Sequence, residues 1–286
     1  MPILVAYLAT PGGADAVALG ARLARSLSTG LEISMVLPPE TVVDPPGNYE
    51  ELLTDRAESW LAEAADLVDD DVSVTTHISF HESSAEGIIT EAERVGAELI
   101  VVGGGGGGAL VGSLTLGSVV NDLMHSSPVP VAVAPRGSRS SGVNRIREVT
   151  CAIGERREAP EVLRAAVRGA ARAGVGLRLV SLVAVEPVSG AAKTDAEVIE
   201  RARTHAAGLV EKAKELATNE ISVTGEVTSG RHIEDAVNKL DWHDGDLIVV
   251  GSSRLAQPRR IFLGSTAAKM LRVLQVPMVV VPKGDD

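Results

Sequence analysis

Aromatic side chains are almost absent from this chain: Tyr7, Tyr49, Trp60, Phe80, Trp242 and Phe262 are the whole supply. Few platforms are left on which nucleic-acid bases could stack, and Ala, Val, Leu and Ile must pack the core. Cysteine is scarcer still. Cys151 stands alone, so no intrachain disulfide can form and no zinc site can be built on thiolates. Positive charge is in deficit, with 27 Lys and Arg against 38 Asp and Glu and a formal charge of −11. Binding a nucleic-acid backbone takes clustered Lys and Arg, which sets nucleic acid aside as a partner. No apolar run approaches the ~18 residues that span a bilayer. The N-terminal MPILVAYLATPGG has neither a basic leader nor a long apolar core, unlike a secretory signal. The expectation is a soluble cytoplasmic protein with no membrane contact. GxSxG, HExxH and repeated carboxylate pairs are also missing, and no nucleophile–base–acid set can be assembled.

What is present is one pattern written twice. Residues 97–135 read AELIVVGGGGGGALVGSLTLGSVVNDLMHSSPVPVAVAP, and residues 245–282 read GDLIVVGSSRLAQPRRIFLGSTAAKMLRVLQVPMVVVP. Each is an apolar β-branched run, a Gly-containing loop, a Gly-Ser pair opening a helix, then Val-Pro and a second apolar run. Gly117 and Gly264 are separated by the same interval as Pro130 and Pro277, which marks a duplicated domain. The lowest-complexity stretch between the copies is RGSRSSGVN at 136–144. Taking 137–144 as the inter-domain linker gives domains at 1–136 and 145–286.

Within the first copy the pattern predicts strands at Ile3–Leu8, Leu31–Leu37, Val72–Ser79, Leu99–Val102 and Val129–Ala134. Helices fall between them, from about Ala14 to Leu27, from Asn48, from Ser83 to about Val95, and from Ser118 to about Ser126. A turn is expected at Pro45-Pro46-Gly47. Leu53, Ala57, Trp60, Leu61, Ala64 and Val68 recur at helical spacing as one buried face, and Ser83 with Glu86 reads as a capping box. The second copy predicts strands at Val149–Ile153, Leu177–Val183, Ile221–Val227, Leu247–Val250 and Met278–Val281. Its helices run from Pro160 to Ala173, from Thr194 (capped with Glu197) to Ala217, from His232 and from Ser265. Strands alternating with helices imply right-handed βαβ units and doubly wound parallel sheets.

The glycine loop follows the fourth strand of each copy. A dinucleotide fold places GxGxxG after its first strand, where Leu8–Gly13 shows nothing of the kind, and no GK[ST] marks a Walker loop. What remains in the first copy is Gly104-x2-Gly107-x9-Gly117-Ser118. Glycines let backbone approach a phosphate, and a Gly-Ser step at a helix start offers N–H donors, a hydroxyl and the positive helix end. With strand order 3-2-1-4-5, the crevice between strands one and four receives this loop.

These residues resemble the universal stress protein family over nearly the whole chain. The resemblance implies two tandem five-stranded parallel α/β sheets of order 3-2-1-4-5, adenine-nucleotide-hydrolase-like, with last strands paired as an intrachain pseudo-dimer. In that family Gly-x2-Gly-x9-Gly-Ser/Thr binds the ribose and phosphates of ATP. The implied ligand is therefore ATP, with ADP or AMP as alternatives and Mg2+ as an accompanying ion. The implied binding residues are Gly104, Gly107, Gly117 and Ser118, with the adenine near Val36. In the second copy they are Gly251, Arg254, Gly264, Ser265 and Thr266, with Val183 at the adenine. Two departures stand out. Arg254 replaces the middle glycine, and Leu8 and Gly154, the latter beside Glu155, occupy the place of a family Asp at the end of the first strand.

Blander readings accompany these. Ser118 and Ser265 serve as ordinary N-caps. Arg254, Arg259 and Arg260 form either a solvated loop or a phosphate clamp. His77 and His81 read as exposed strand histidines, Cys151 as an inert core residue, Trp60 as core, and Trp242 with His243 as a surface cap ending a helix. The functional expectation is a stress-response regulatory module that binds a nucleotide and presents a surface to a protein partner, as a monomeric pseudo-dimer or a homodimer. A nucleotide-free interaction protein and a weak ATPase are the alternatives.

Overall fold

Strands that are apolar on both faces must be covered on both faces, and here they form the middle layer of the molecule. The computed structural model describes residues 1–39, 49–104, 116–153, 160–184, 195–217 and 221–284. The first half runs β1 (Ile3–Ala6), α1 (Pro11–Leu27), β2 (Leu31–Leu37), α2 (Tyr49–Ala65), β3 (Val74–Phe80), α3 (Ser84–Val95), β4 (Leu99–Gly103), α4 (Ser118–Ser126) and β5 (Val131–Ala134). The second runs β6 (Glu148–Ile153), α5 (Pro160–Ala173), β7 (Gly176–Ala184), α6 (Asp195–Leu216), β8 (Val223–Gly230), α7 (Ile233–Val237), β9 (Asp246–Gly251), α8 (Ser265–Leu271) and β10 (Met278–Val281). The turn at Pro45-Pro46-Gly47, the helix start at Asn48, the Thr194 cap, Gly154 and Glu155 lie outside the described residues.

One ten-stranded sheet results, ordered β3-β2-β1-β4-β5-β10-β9-β6-β7-β8. Each half has the expected 3-2-1-4-5 order with parallel neighbours. The halves meet through β5 and β10, which pair antiparallel with Val131 opposite Val280 and Val133 opposite Met278. Every residue of both strands is buried. Strand periodicity then sorts side chains into two layers. One layer, which includes Ile3 and Val5, holds buried residues of α1, α2, α5 and α6, and the other, which includes Leu4, holds those of α3, α4, α7 and α8. Ala57, Leu61 and Ala64 are buried as expected, with Leu53, Trp60 and Val68 partly so. The outer edges β3 and β8 are polar and half exposed, which protects them from further pairing.

Several local readings change. α1 begins at Pro11, because Thr10 is an extended N-cap whose Oγ1 accepts from Gly13 N at 3.1 Å. That cap and Pro at the first helical position outweigh the two glycines. Ser83 caps α3 as expected, accepting from Glu86 N. α7 is one short turn, so Trp242 lies in the loop beyond it. There its indole N–H donates to Val237 O at 3.2 Å and its ring lies under Arg178, while His243 N donates to the buried Asp246 carboxylate. His77 sits 3.5 Å from Glu91, and His81 Nδ1 accepts from Ser83 N.

The linker is not a free tether. Its Gly-Ser-Arg composition reads as flexible, yet residues 138–140 form a single 3-10 turn held by polar groups on one side of α1. Asp15, 2% exposed, accepts from Gly137 N and Arg139 N. Arg22 donates to Val143 O, Arg25 donates to Asn144 O, and Ser26 Oγ accepts from Ile146 N. Burial pushes the Arg22 guanidinium down from its ordinary value, and Asp244 partly restores it. Replacing Asp15 with Ala removes the buried acceptor of the Gly137 and Arg139 amides. We expect Asp15→Ala to lose about 1–3 kcal/mol in urea unfolding and to expose residues 137–144 to proteolysis. Wild-type stability in that variant would exclude the clamp.

Cys151 is fully buried on β6, and burial pushes its thiol from 9.0 up to about 12. Above pH ~9 the unfolded chain sheds a proton that the native state keeps, so stability falls as pH rises from about 9 towards 12. Urea titrations of Cys151→Ala should lack that slope, and native Cys151 should resist a thiol reagent at pH ~8. Rapid labelling of the folded protein would contradict this burial.

Candidate functional site

The sheet's winding reverses between β1 and β4, and a cavity of about 1190 Å³ opens beyond their C-terminal ends. Three kinds of wall enclose it. Its floor is apolar: Ala6 from β1, Val36 from β2, Ile88 from α3 and Val102 from β4. Gly87 lets α3 settle on this floor, since a Cβ there would lie 2.6 Å from Val36 Cγ1. Ser34 of β2 also lines the cavity and is 1% exposed.

The second wall is the start of α4. Gly117 is the N-cap in an extended conformation and has no side-chain cap hydrogen bond. Ser118 is therefore the first helical residue and not a cap, and the same holds for Ser265 behind the Gly264 cap. Gly117, Ser118, Val119 and Val120 all line the cavity. The amide donors and positive end of α4 favour an anion at this wall.

The third wall is cationic and comes from the start of the linker and the residue just before it. Arg136 and Arg139 line the cavity beside Asp15. Arg139 donates to Pro11 O at 2.8 Å and lies 3.2 Å from the Asp15 carboxylate. In a chain of charge −11, two guanidinium groups at one cavity matter for which ligands approach it.

Backbone packing at the mouth depends on glycine. A Cβ on Gly103, the last residue of β4, would lie 2.1 Å from Gly12 O, and one on Gly13 would lie 1.9 Å from Leu8 O. The β4 end and the Leu8–Gly13 segment thus touch through backbone alone. At Gly117, by contrast, a Cβ would point into open space, with nothing within 4 Å.

The structure brings Val36, Gly104, Gly117 and Ser118 together around this cavity, and Gly107 lies outside the described residues. Leu8 lines the mouth but is 58% exposed and brings no carboxylate. Sequence reasoning missed Thr10, Gly12, Asp15, Ser34, Arg136 and Arg139. The Thr-Pro cap and the polar residues interrupting the apolar helix α1 were the available clues. The linker arginines gave none, since only the fold carries them back to β1.

The corresponding loop of the second half lies within the described residues. Gly251 ends β9, Gly264 caps α8, Ser265 and Thr266 are exposed in its first turn, Val183 is buried near the end of β7, and Arg254 is exposed. Between them the loop folds on itself, with Ser253 N donating to Phe262 O. It then docks on the first half. Ile261 N donates to Ser127 O, Leu263 N to Met124 O, and Arg260 to Ser126 O at 2.9 Å. These contacts satisfy carbonyls at the C-terminus of α4. The guanidinium of Arg260 thereby serves the interface between halves, and the clamp reading does not hold for it. Lys283 ties the loop further by donating to Arg254 O and Ala256 O. Among the described residues no cluster of His, Cys, Asp or Glu suits a metal ion.

Two glycine substitutions separate packing from access. Gly103→Ala should cost about 1–3 kcal/mol by overpacking, and Gly117→Ala should leave the thermal midpoint nearly unchanged. Equal stability of the two variants would overturn the close approach at Gly103.

Known proteins share this architecture. The model of the universal stress protein family matches residues 1–135 and again residues 145–282. A universal stress protein of Mycobacterium tuberculosis strain H37Rv is 29% identical over 293 residues, covering 99% of this chain and all of that protein. A relative of that name from Mycobacterium bovis shows the same identity and coverage. Among solved structures, a universal stress protein from Archaeoglobus fulgidus aligns with a TM-score of 0.66 at 17% identity, over 99% of this chain and 98% of that one. A Pseudomonas aeruginosa protein described as a putative universal stress protein aligns with a TM-score of 0.57 at 18% identity, over 98% and 92%. Among the described residues no helix is long and apolar enough to cross a membrane. With the family model matched twice along its length, the chain belongs to the universal stress protein family as a tandem member.

Proposed function

We propose that the first half binds an adenine nucleotide, ATP foremost, and that the protein acts as a regulatory module rather than as an enzyme. Membership of the family supports a role in the stress response. The observation that carries the nucleotide reading is the cavity itself, in which an apolar floor, the open N-terminus of α4 and two linker arginines share one wall system. An apolar ring and a phosphate chain have separate places in it. Mg2+ would enter with the phosphates. Catalysis is not part of the reading, because the buried carboxylate of the site, Asp15, is committed to the linker.

Regulation follows from where the arginines sit. Arg136 and Arg139 belong to the segment that joins the halves, so occupancy of the cavity would bias the packing of that segment against α1. A protein partner reading the adjoining surface would sense the change. The second half, with its loop docked on α4, supplies support in this scheme. The nucleotide-free reading is favoured by one observation, the leucine at position 8 where ATP-binding relatives are expected to carry Asp.

The test is release of co-purified nucleotide, followed by thermal shift with ATP, ADP and AMP, each with and without Mg2+. Ligand at ~100 times its dissociation constant should stabilise by ~2.7 kcal/mol. Gly117→Val, which pushes a branched side chain into the open space at the α4 start, should weaken ATP about tenfold or more without unfolding the protein. Absence of bound nucleotide and of any shift would leave the interaction-protein reading.

A further inference from the structure

We propose that Arg139 counts the phosphates of the bound nucleotide, its guanidinium taking a terminal phosphate that a monophosphate lacks, so that the first-half site selects a nucleoside triphosphate over a monophosphate. This rests on the reading of that cavity as a nucleotide site. Arg139 lies in the 3-10 turn at 138–140, in the segment that joins the halves, and reaches back to the start of α1. Its Nη1 donates to Pro11 O at 2.8 Å and lies 3.2 Å from Asp15 Oδ2. Pro11 and Asp15 both line the cavity, so these two contacts set the guanidinium itself at the cavity wall. The Arg139 side chain is 46% exposed, whereas that of Asp15 is 3% exposed.

The charge is held in place without being used up. Asp15 accepts from Arg139 N at 3.0 Å and from Gly137 N at 3.1 Å, so one buried carboxylate fixes both the backbone and the head of the arginine. The clamp on the linker needs no guanidinium, because any residue at 139 supplies that amide. A guanidinium carries five N–H donors in a planar fork. Only Nη1 has partners among the described residues, which leaves Nε and Nη2 to donate. Two donors in one plane suit the oxygens of a phosphate. Arg136 lines the same cavity, so Arg136, Arg139 and Asp15 together leave a positive charge, in a chain whose formal charge is −11. Depth orders the ligand. Val36, Ile88 and Val102 of the floor are buried, and the Arg139 head is half exposed. A base seated on the floor therefore directs its last phosphates, and not its first, towards Arg139.

The test titrates the full chain calorimetrically with ATP, ADP and AMP, each with Mg2+. The wild type should bind ATP about tenfold more tightly than AMP, with ADP between them. Arg139→Gln keeps the amide at 139 and a polar side chain but removes the charge. It should lower ATP affinity about tenfold and leave AMP unchanged. Arg139→Lys, which keeps the charge without the fork, should fall between. The ligand-free thermal midpoint of Arg139→Gln should stay close to that of the wild type, because the backbone bonds to Asp15 remain and the lost ion pair is half exposed. A wild type that binds ATP and AMP alike would overturn phosphate counting while leaving the nucleotide site standing. An Arg139→Gln variant that keeps the wild-type ratio of ATP to AMP affinity, whether by no loss or by equal losses, would do the same and leave Arg139 a linker contact only. A wild type that binds none of the three would overturn the nucleotide reading and this inference together.

Discussion

β5 and β10 are short and apolar on both faces, and each would be an open edge if its half stood alone. Such an edge pairs with whatever strand it meets. Here each meets the other, antiparallel, and a ten-stranded sheet results in which every residue of both strands is buried. Much of the remaining architecture follows from that joint. It brings α4 of the first half beside the loop that follows β9, so Ile261, Leu263 and Arg260 can satisfy the carbonyls at the C-terminal end of α4.

The same contact occupies the backbone of the second half's loop. Backbone donors that hold the second loop against α4 are not available to a ligand, and the carbonyls of that loop hold Lys283. The N-terminus of α4 faces a roomy cavity, while its C-terminus rests on the second half. One helix therefore joins the candidate site to the interface, with hydrogen bonds to the second half at its C-terminal end and the cavity at its start.

The linker connects these features a second way. Asp15, Arg22, Arg25 and Ser26 are buried polar residues on a helix that would otherwise be apolar, a costly arrangement unless each is paired. Each has a partner among the backbone groups of 137–146, and Arg25 pairs with Asp69 and Asp71 as well. The connection that looks most disposable in composition is among the most heavily hydrogen-bonded, and it presents Arg136 and Arg139 to the cavity. A ligand there would touch both halves' joining segment and the first half's core strands.

Much of this was legible in the residues themselves. Alternation and apolar runs marked the strands, helical spacing marked Ala57, Leu61 and Ala64 as buried, and the repeat announced a tandem fold, because these features depend on local period and on burial. Gly117 and Ser118 were placed at a helix start, and Gly104 in the loop after the fourth strand, for the same local reason. The tertiary structure alone decided that Gly103 must lack a side chain to clear Gly12, that the linker is clamped to α1, and that Arg260 turns to α4. Each of those depends on segments distant in sequence meeting in space, and no pattern along the chain records which backbone atoms will meet.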